Sequence, residues 1–120
     1  MSSKIALVFG GSRGIGAACV KKLNEDGFDV AFTYVSSAPE VPAAVAGTSV
    51  KAYRADIASP EDIAKVFDEV EAEFGGKVTC VLANAGINVP PGPMAQFDPD
   101  NFRKLVEVNI VGAFNILAEA

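Results

Sequence analysis

The sequence contains no histidine and only two cysteines, Cys19 and Cys80, among its 120 residues. The commonest general base is therefore missing, and the two cysteines lack the spacing of metal ligands, which argues against a zinc site or a disulfide scaffold. Free cysteines are the default in a reducing compartment, so we expect a cytoplasmic protein that binds no metal.

Long apolar runs and clusters of basic residues are also absent. No apolar run approaches the ~20 residues that a membrane span needs. The N-terminal MSSK leads directly into a short apolar segment, without the layout of a signal peptide. The formal net charge is −5, from 10 basic and 15 acidic residues. An acidic chain without a basic patch argues against nucleic acid as a partner, and we expect neither nucleic acid nor a membrane to bind.

The sequence does contain a regular alternation of strand-like and helix-like segments. The apolar run at residues 5–9 predicts a strand covered on both faces, whereas Lys51 and Arg54 make the third strand polar and predict an edge position. Helices are predicted where apolar residues recur on one face, with Gly27 ending the first and Ser59-Pro60 opening the second. The full prediction is strands at 5–9, 30–34, 50–54 and 78–83, helices at 14–26, 60–74 and from Asp98-Pro99 to the end, and a weak region at 36–48 with room for a short helix.

This order of segments is typical of βαβ units around a parallel sheet. Right-handed crossovers favour an α/β fold with a Rossmann-like, doubly wound strand order of 3-2-1-4. The chain shows no internal repeat and no linker, so residues 1–120 are expected to form one domain.

The stretch FGGSRGIG, residues 9–16, joins the first predicted strand to the first predicted helix. Gly10, Gly14 and Gly16 permit a tight turn there and let a diphosphate approach the backbone with no Cβ in the way. The start of the helix adds free N–H groups and a partial positive charge. A strand before the loop and a helix after it favour a dinucleotide site over the alternative, a turn that is merely rich in glycine.

The spacing Gly-x-x-x-Gly-x-Gly, with three further motifs in order, resembles the short-chain dehydrogenase/reductase family. Asp56-Ile57 follows the third strand, Asn84-Ala85-Gly86 follows the fourth, and Val108-Asn109 lies in the last helix. Within the family the chain resembles the 3-oxoacyl-carrier-protein reductases. The resemblance implies a nicotinamide cofactor, a small carbonyl or alcohol substrate and a homo-oligomeric complete protein. It also implies that Asn109 is a catalytic asparagine; the alternative is a buried asparagine bonded to the backbone.

The end of the second strand predicts the choice between NADP and NAD. An acid at this place usually holds the ribose 2′-hydroxyl, but here the chain reads Tyr34-Val35-Ser36-Ser37, with no acid before Glu40. Arg13 in the glycine loop is suited to a 2′-phosphate, so we expect NADP. The alternative is that Arg13 points into solvent and the serines cap a short helix. The complete set of expected cofactor-binding residues is Gly10, Ser12, Arg13, Gly14, Ile15, Gly16, Tyr34, Ser36, Ser37, Asp56, Ile57, Asn84, Ala85 and Gly86.

Two positions depart from the family pattern. Phe9 stands where the family usually has threonine, and Ala83 stands where it has the first asparagine of Asn-Asn-Ala-Gly. The two changes are either a compensating pair, in which the phenylalanine fills the space that the alanine leaves, or independent drift.

The catalytic serine and Tyr-x-x-x-Lys pair of the family have no counterpart in these 120 residues. Four positions after Tyr34 comes Ala38, and four after Tyr53 comes Ile57. In the family these groups follow the last helix, so we interpret the chain as a cofactor-binding half, truncated on its C-terminal side and inactive alone. The alternatives are a non-catalytic nucleotide-binding module and a half-protein that needs a second chain. The last helix is apolar nearly all round, which predicts cover on more than one side.

Overall fold

A computed structural model describes residues 4–12, 14–35, 39–84 and 98–120. The strands are β1 (Ile5–Phe9), β2 (Asp29–Tyr34), β3 (Val50–Arg54) and β4 (Val78–Ala83). The helices are α1 (Gly14–Glu25), α2 (Pro60–Phe74), α3 (Pro99–Val106) and α4 (Gly112–Glu119), and a π-helical segment, Glu107–Val111, joins the last two. None of the helices in the described residues combines the length and apolarity needed to cross a membrane.

The four strands form one parallel sheet in the order β3-β2-β1-β4, which confirms the predicted doubly wound arrangement. The polar strand β3 lies at an edge, as its lysine and arginine predict. Register pairs Val8 with Phe32 and Phe32 with Ala52, so the ends of β1, β2 and β3 lie in line. The carboxyl ends of these strands therefore share one edge of the sheet, where α/β proteins bind ligands.

Strand β1 is fully buried because helices cover both faces of the sheet. Its alternate residues Ile5, Leu7 and Phe9 belong to the core beneath α2 and α4, and Ala6 and Val8 belong to the core beneath α1. This division follows from the two-residue period of a strand, which sends successive side chains to opposite faces. A continuous apolar run is the pattern of such a two-sided strand.

Helix α2 begins and ends where its sequence signals predict. The Ser59 hydroxyl accepts a hydrogen bond from the Asp62 backbone N–H at 3.3 Å, and Pro60 occupies the first turn. Gly75 closes the helix in the left-handed conformation, with φ of 73°. The helix thus spans the sheet and returns the chain to β4.

The weak region contains no helix in residues 39–49. Pro39 and Pro42 explain this, because each lacks an N–H donor and disfavours helical backbone at the preceding residue. A short helix, which the sequence allowed at 36–48, is therefore not formed within residues 39–48. Residues 36–38 lie outside the described residues.

In the described residues, the continuous helical stretch from α3 to α4 packs on the rest of the fold by one side only. Ile116 is buried, and Gly112 lies close to the loop that precedes α2. A Cβ on Gly112 would come within 2.7 Å of the Ile57 side chain. On another side, Ile110, Phe114 and Leu117 are exposed. Cover for that second side remains a prediction.

Candidate functional site

The glycine loop is fastened to β2 at its first two residues. Gly10 has φ of 75° and donates its N–H to the Thr33 hydroxyl at 3.1 Å. Gly11 donates to the Thr33 carbonyl at 3.2 Å. A Cβ on Gly11 would come within 2.5 Å of the Phe32 Cβ, so only glycine fits there without a shift. The anchoring role of Thr33 was not anticipated from the sequence, although a hydroxyl inside a buried strand is a signal that could have indicated it.

Gly16 is the point where three elements meet. A Cβ on this residue would lie 2.1 Å from the Gly10 carbonyl oxygen and 2.7 Å from the Asn84 side-chain nitrogen. Asn84, just beyond β4, donates from Nδ2 to that same Gly10 oxygen at 3.2 Å. The absence of a side chain therefore lets the first turn of α1 sit directly against the ends of β1 and β4.

Gly14 has the opposite environment and leaves the loop open. Its φ is 62°, and no described atom lies within 4 Å of the place that a Cβ would occupy. Ser12 and Ile15 flank it and are exposed, Ile15 to 75%. The first turn of α1 carries no acidic residue, so its unpaired N–H groups present a positive end without a competing carboxylate. This open helix start is suited to a phosphate group.

The predicted residues after β3 are engaged in the loop that precedes α2. Asp56 accepts a hydrogen bond at Oδ1 from the Ala58 N–H at 3.0 Å, and its own N–H donates to Asp62 Oδ2 at 3.0 Å. Ile57 is buried, and its carbonyl oxygen accepts from Asn115 Nδ2 at 3.2 Å. Both lie at the carboxyl edge of the sheet, but the Ile57 side chain is part of the core.

Asn109 lies within the π-helical segment and is exposed. The choice between a catalytic asparagine and one bonded to the backbone stays a prediction. Single π turns inside α-helices occur frequently at functional sites. The sequence motifs do not indicate this widened turn.

The remaining expected site residues divide into one that the structure describes and five that it does not. Tyr34 is half-buried at the end of β2, next to the glycine loop. Residues 13, 36, 37, 85 and 86 lie outside the described residues, so the expectations for Arg13, Ser36, Ser37, Ala85 and Gly86 stay predictions.

Tyr53 is held as a structural hydrogen-bond donor. Its hydroxyl donates to Glu73 Oε2 at 2.9 Å, and Lys51 Nζ lies 3.2 Å from the same oxygen. Burial, and then the adjacent Glu73 carboxylate, raise the pKa of Tyr53, while the Tyr53 hydrogen bond and then that of Lys51 lower the pKa of Glu73. Because the phenol stays protonated, it is a poor proton-transfer group, which agrees with the lack of a lysine four residues later.

Comparison with known proteins agrees with this geometry. A family profile described as short chain dehydrogenase matches residues 4–120. The chain is 34% identical over 114 residues to an acetoacetyl-CoA reductase of Paracoccus denitrificans, a match covering 95% of this chain and 46% of that protein. The chain thus spans about half the length of the curated relatives that it matches.

Solved structures of similar proteins match the fold over nearly the whole chain. A short-chain dehydrogenase from Burkholderia cenocepacia in complex with NADP is 34% identical, with a TM-score of 0.81, and the match covers 98% of this chain and 49% of that one. A 3-oxoacyl-[acyl-carrier protein] reductase from Brucella melitensis in complex with NAD is 30% identical, with a TM-score of 0.86 and coverage of 99% and 48%. The chain belongs to the short-chain dehydrogenase family, whose members are oxidoreductases that use nicotinamide cofactors.

Proposed function

We propose that this chain is the cofactor-binding half of an NADP-dependent short-chain oxidoreductase that acts on a carbonyl or alcohol substrate. The observation that carries the proposal is the pairing of Gly16, which has no room for a Cβ, with Gly14, which is open to solvent. One glycine brings the helix start against the sheet and the other leaves its N–H groups accessible. A diphosphate fits this combination.

The residues present are suited to a dinucleotide along the carboxyl edge of the sheet. The loop from Gly10 to Gly16 would hold the diphosphate, Asp56 and Ile57 would border the adenine, and Asn84 would fix the loop from beneath. A bound nicotinamide would donate a hydride to the carbonyl carbon of the substrate, or accept one from the carbon of an alcohol. In this proposal Asn109 lies on the catalytic side, in the exposed π-helical turn.

The preference for NADP rests on charge at the adenosine end. The described residues at the end of β2 include no carboxylate that would repel a 2′-phosphate, and Arg13 lies in the loop sequence. Of the two similar structures, one is in complex with NADP and the other with NAD. The proposal therefore predicts tighter binding of NADPH than of NADH to this chain.

Replacing Arg13 with alanine should weaken the binding of NADPH selectively. A charge-assisted hydrogen bond is worth ~1.5–3 kcal/mol, so the NADPH dissociation constant should rise about tenfold or more while that of NADH stays unchanged. Fluorescence titration of both nucleotides measures the two constants. NADH binding as tight as NADPH binding in the unaltered chain would contradict the NADP preference.

Catalysis is expected to need residues that these 120 do not contain. The chain spans about half of its relatives and holds no Tyr-x-x-x-Lys sequence. We therefore expect no ketone-dependent oxidation of NADPH by the purified chain, followed at 340 nm, even where nucleotide binding is intact. Turnover by the chain alone would refute this expectation.

The second candidate functions are a non-catalytic nucleotide-binding module and a half-protein completed by another chain. Both are consistent with a chain that spans about half the length of the relatives that it matches. Adding a separately expressed chain that carries the family's remaining strands and its Tyr-x-x-x-Lys motif distinguishes them. Activity on mixing supports the half-protein, and nucleotide binding without activity on mixing supports the module.

A further inference from the structure

We propose that Arg54, at the end of the edge strand β3, is a second cation that selects the 2′-phosphate of NADP. The inference rests on the proposed function and adds a specificity-determining residue that the sequence motifs do not indicate. Its basis is the position of Arg54 beside Tyr34 and the lack of any partner for its charge among the described residues.

The register of the sheet places Arg54 next to the expected position of the adenosine ribose. Tyr34 and Arg54 are paired residues on β2 and β3, so their side chains leave the same face of the sheet. Neighbouring strands are ~4.8 Å apart, so the Arg54 backbone lies only one strand spacing from the end of β2. The end of β2 is where an acid or an arginine reads the ribose 2′ position in dinucleotide-binding folds.

The same row continues to the glycine loop. Val8 pairs with Phe32 and Phe32 with Ala52, and two residues further along each strand come Gly10, Tyr34 and Arg54. A nucleotide whose diphosphate lies at the glycine loop and whose ribose lies over Tyr34 therefore extends toward Arg54. The Arg54 side chain then has to span about one strand spacing, from β3 to β2, to reach the ribose.

The charge of Arg54 is available for a ligand. Arg54 is exposed, and no carboxylate in the described part of the chain lies within 4.0 Å of its guanidinium. The lysines nearby are already paired: Lys51 with Glu73 at 3.2 Å and Lys65 with Glu69 at 3.7 Å. Arg54 is therefore the cation that a 2′-phosphate would meet without first breaking an ion pair.

The surface around Arg54 is concave. An open groove of about 550 Å³ runs along the β3 edge. Its lining includes the apolar side chains of Pro39 and Val41, the cations Lys51 and Arg54, and the carboxylates Glu69 and Glu73, of which Glu73 is paired with Lys51 and Glu69 with Lys65. Among the described residues of this groove, an adenosine group that carries a phosphate would therefore meet Arg54 as the unpaired charge. A guanidinium can also make two parallel hydrogen bonds to one phosphate, which a lysine cannot reproduce.

The test isolates the adenosine end by using 2′,5′-ADP and 5′-AMP as probes of the 120-residue chain. Arg54→Gln should raise the dissociation constant of 2′,5′-ADP about tenfold or more, with that of 5′-AMP unchanged, and Arg54→Lys should recover part of the loss. Lys65→Gln is the matched control, because it removes a nearby cation that is already paired and should leave both constants unchanged. Because Arg54 is exposed, the variants should keep the circular dichroism spectrum and melting temperature of the unaltered chain.

Each result decides between the two proposals. Equal affinity of Arg54→Gln and the unaltered chain for 2′,5′-ADP, with binding still lost in Arg13→Ala, would overturn the role of Arg54 and leave the proposed function standing. The same loss in Lys65→Gln as in Arg54→Gln would also overturn it, since a general electrostatic effect would then suffice. Failure of the unaltered chain to bind NADPH, NADH or either adenosine probe would overturn both.

Discussion

Replacing Gly16 with alanine is expected to weaken NADPH binding about a hundredfold, or ~2.8 kcal/mol, because the added Cβ displaces the N–H groups that would bind the diphosphate. The added Cβ would lie 2.1 Å from the Gly10 carbonyl oxygen and 2.7 Å from Asn84 Nδ2. Backbone is the closest obstacle, so no rotation of a side chain can relieve the contact. The first turn of α1 has to move away from β1, and the N–H groups offered to the diphosphate move with it.

A second glycine provides the control for this prediction. Gly27 has φ of 96° and no described atom within 4 Å of its Cβ position, and it ends α1 far along the helix from the loop. Gly27→Ala should lower the free energy of unfolding by ~1 kcal/mol, because the left-handed backbone disfavours a side chain, and should leave the NADPH dissociation constant unchanged. Titration and thermal unfolding of both variants separate binding from stability. Equal NADPH affinity in the two variants would contradict the steric role of Gly16.

The parts of the fold that local patterns determine were predictable from the sequence. An unbroken apolar run at 5–9 indicated a two-sided strand, and Ser59, Pro60 and the glycines at 75–76 indicated the ends of α2. Each of these signals acts within a few residues of the structure that it determines. The strand order followed from the handedness of crossovers, which is nearly invariant.

Contacts between distant segments were not predictable in this way. Asn24 is buried in α1, where its amide donates to the Phe28 carbonyl at 3.0 Å and to the Thr48 hydroxyl at 2.8 Å, and accepts from the Val45 N–H at 2.9 Å. Helical periodicity assigns position 24 a polar residue but does not reveal these partners. The fit of Gly112 against Ile57 likewise joins residues 55 positions apart, and it depends on how α4 packs.

Packing at the candidate functional site was likewise not predictable from the sequence. The spacing of Gly10, Gly14 and Gly16 indicated a phosphate loop, but only the packing shows that Gly16 is closed and Gly14 open. The place of Arg54 beside Tyr34 follows from the register between β2 and β3, which the predicted strand order does not specify. A one-residue change of that register would put the two side chains on opposite faces.

Replacing Phe9 with alanine is expected to lower the free energy of unfolding by about 3–5 kcal/mol. Phe9 is fully buried, and its ring centroid lies 6.1 Å from that of Phe67 in the core beneath α2. Because the total stability of a domain is ~5–15 kcal/mol, this loss removes a large share of it. Phe114→Ala is the matched control, because the same substitution at a side chain that is 68% exposed should change stability by less than ~0.5 kcal/mol. Equal losses in the two variants, measured by chemical unfolding, would show that Phe9 is not a core residue.

A double-mutant cycle at Phe9 and Ala83 tests whether the two departures from the family pattern compensate each other. Phe9 and Ala83 are paired across β1 and β4, so their side chains leave the same face of the sheet, where Phe9 is buried and Ala83 is exposed. Phe9→Thr alone leaves a cavity and a hydroxyl without a partner, whereas Ala83→Asn beside it adds volume and an amide. We therefore expect the double variant to be more stable than the sum of the single changes predicts, by ~0.5 kcal/mol or more. A coupling energy near zero would favour independent drift at the two positions.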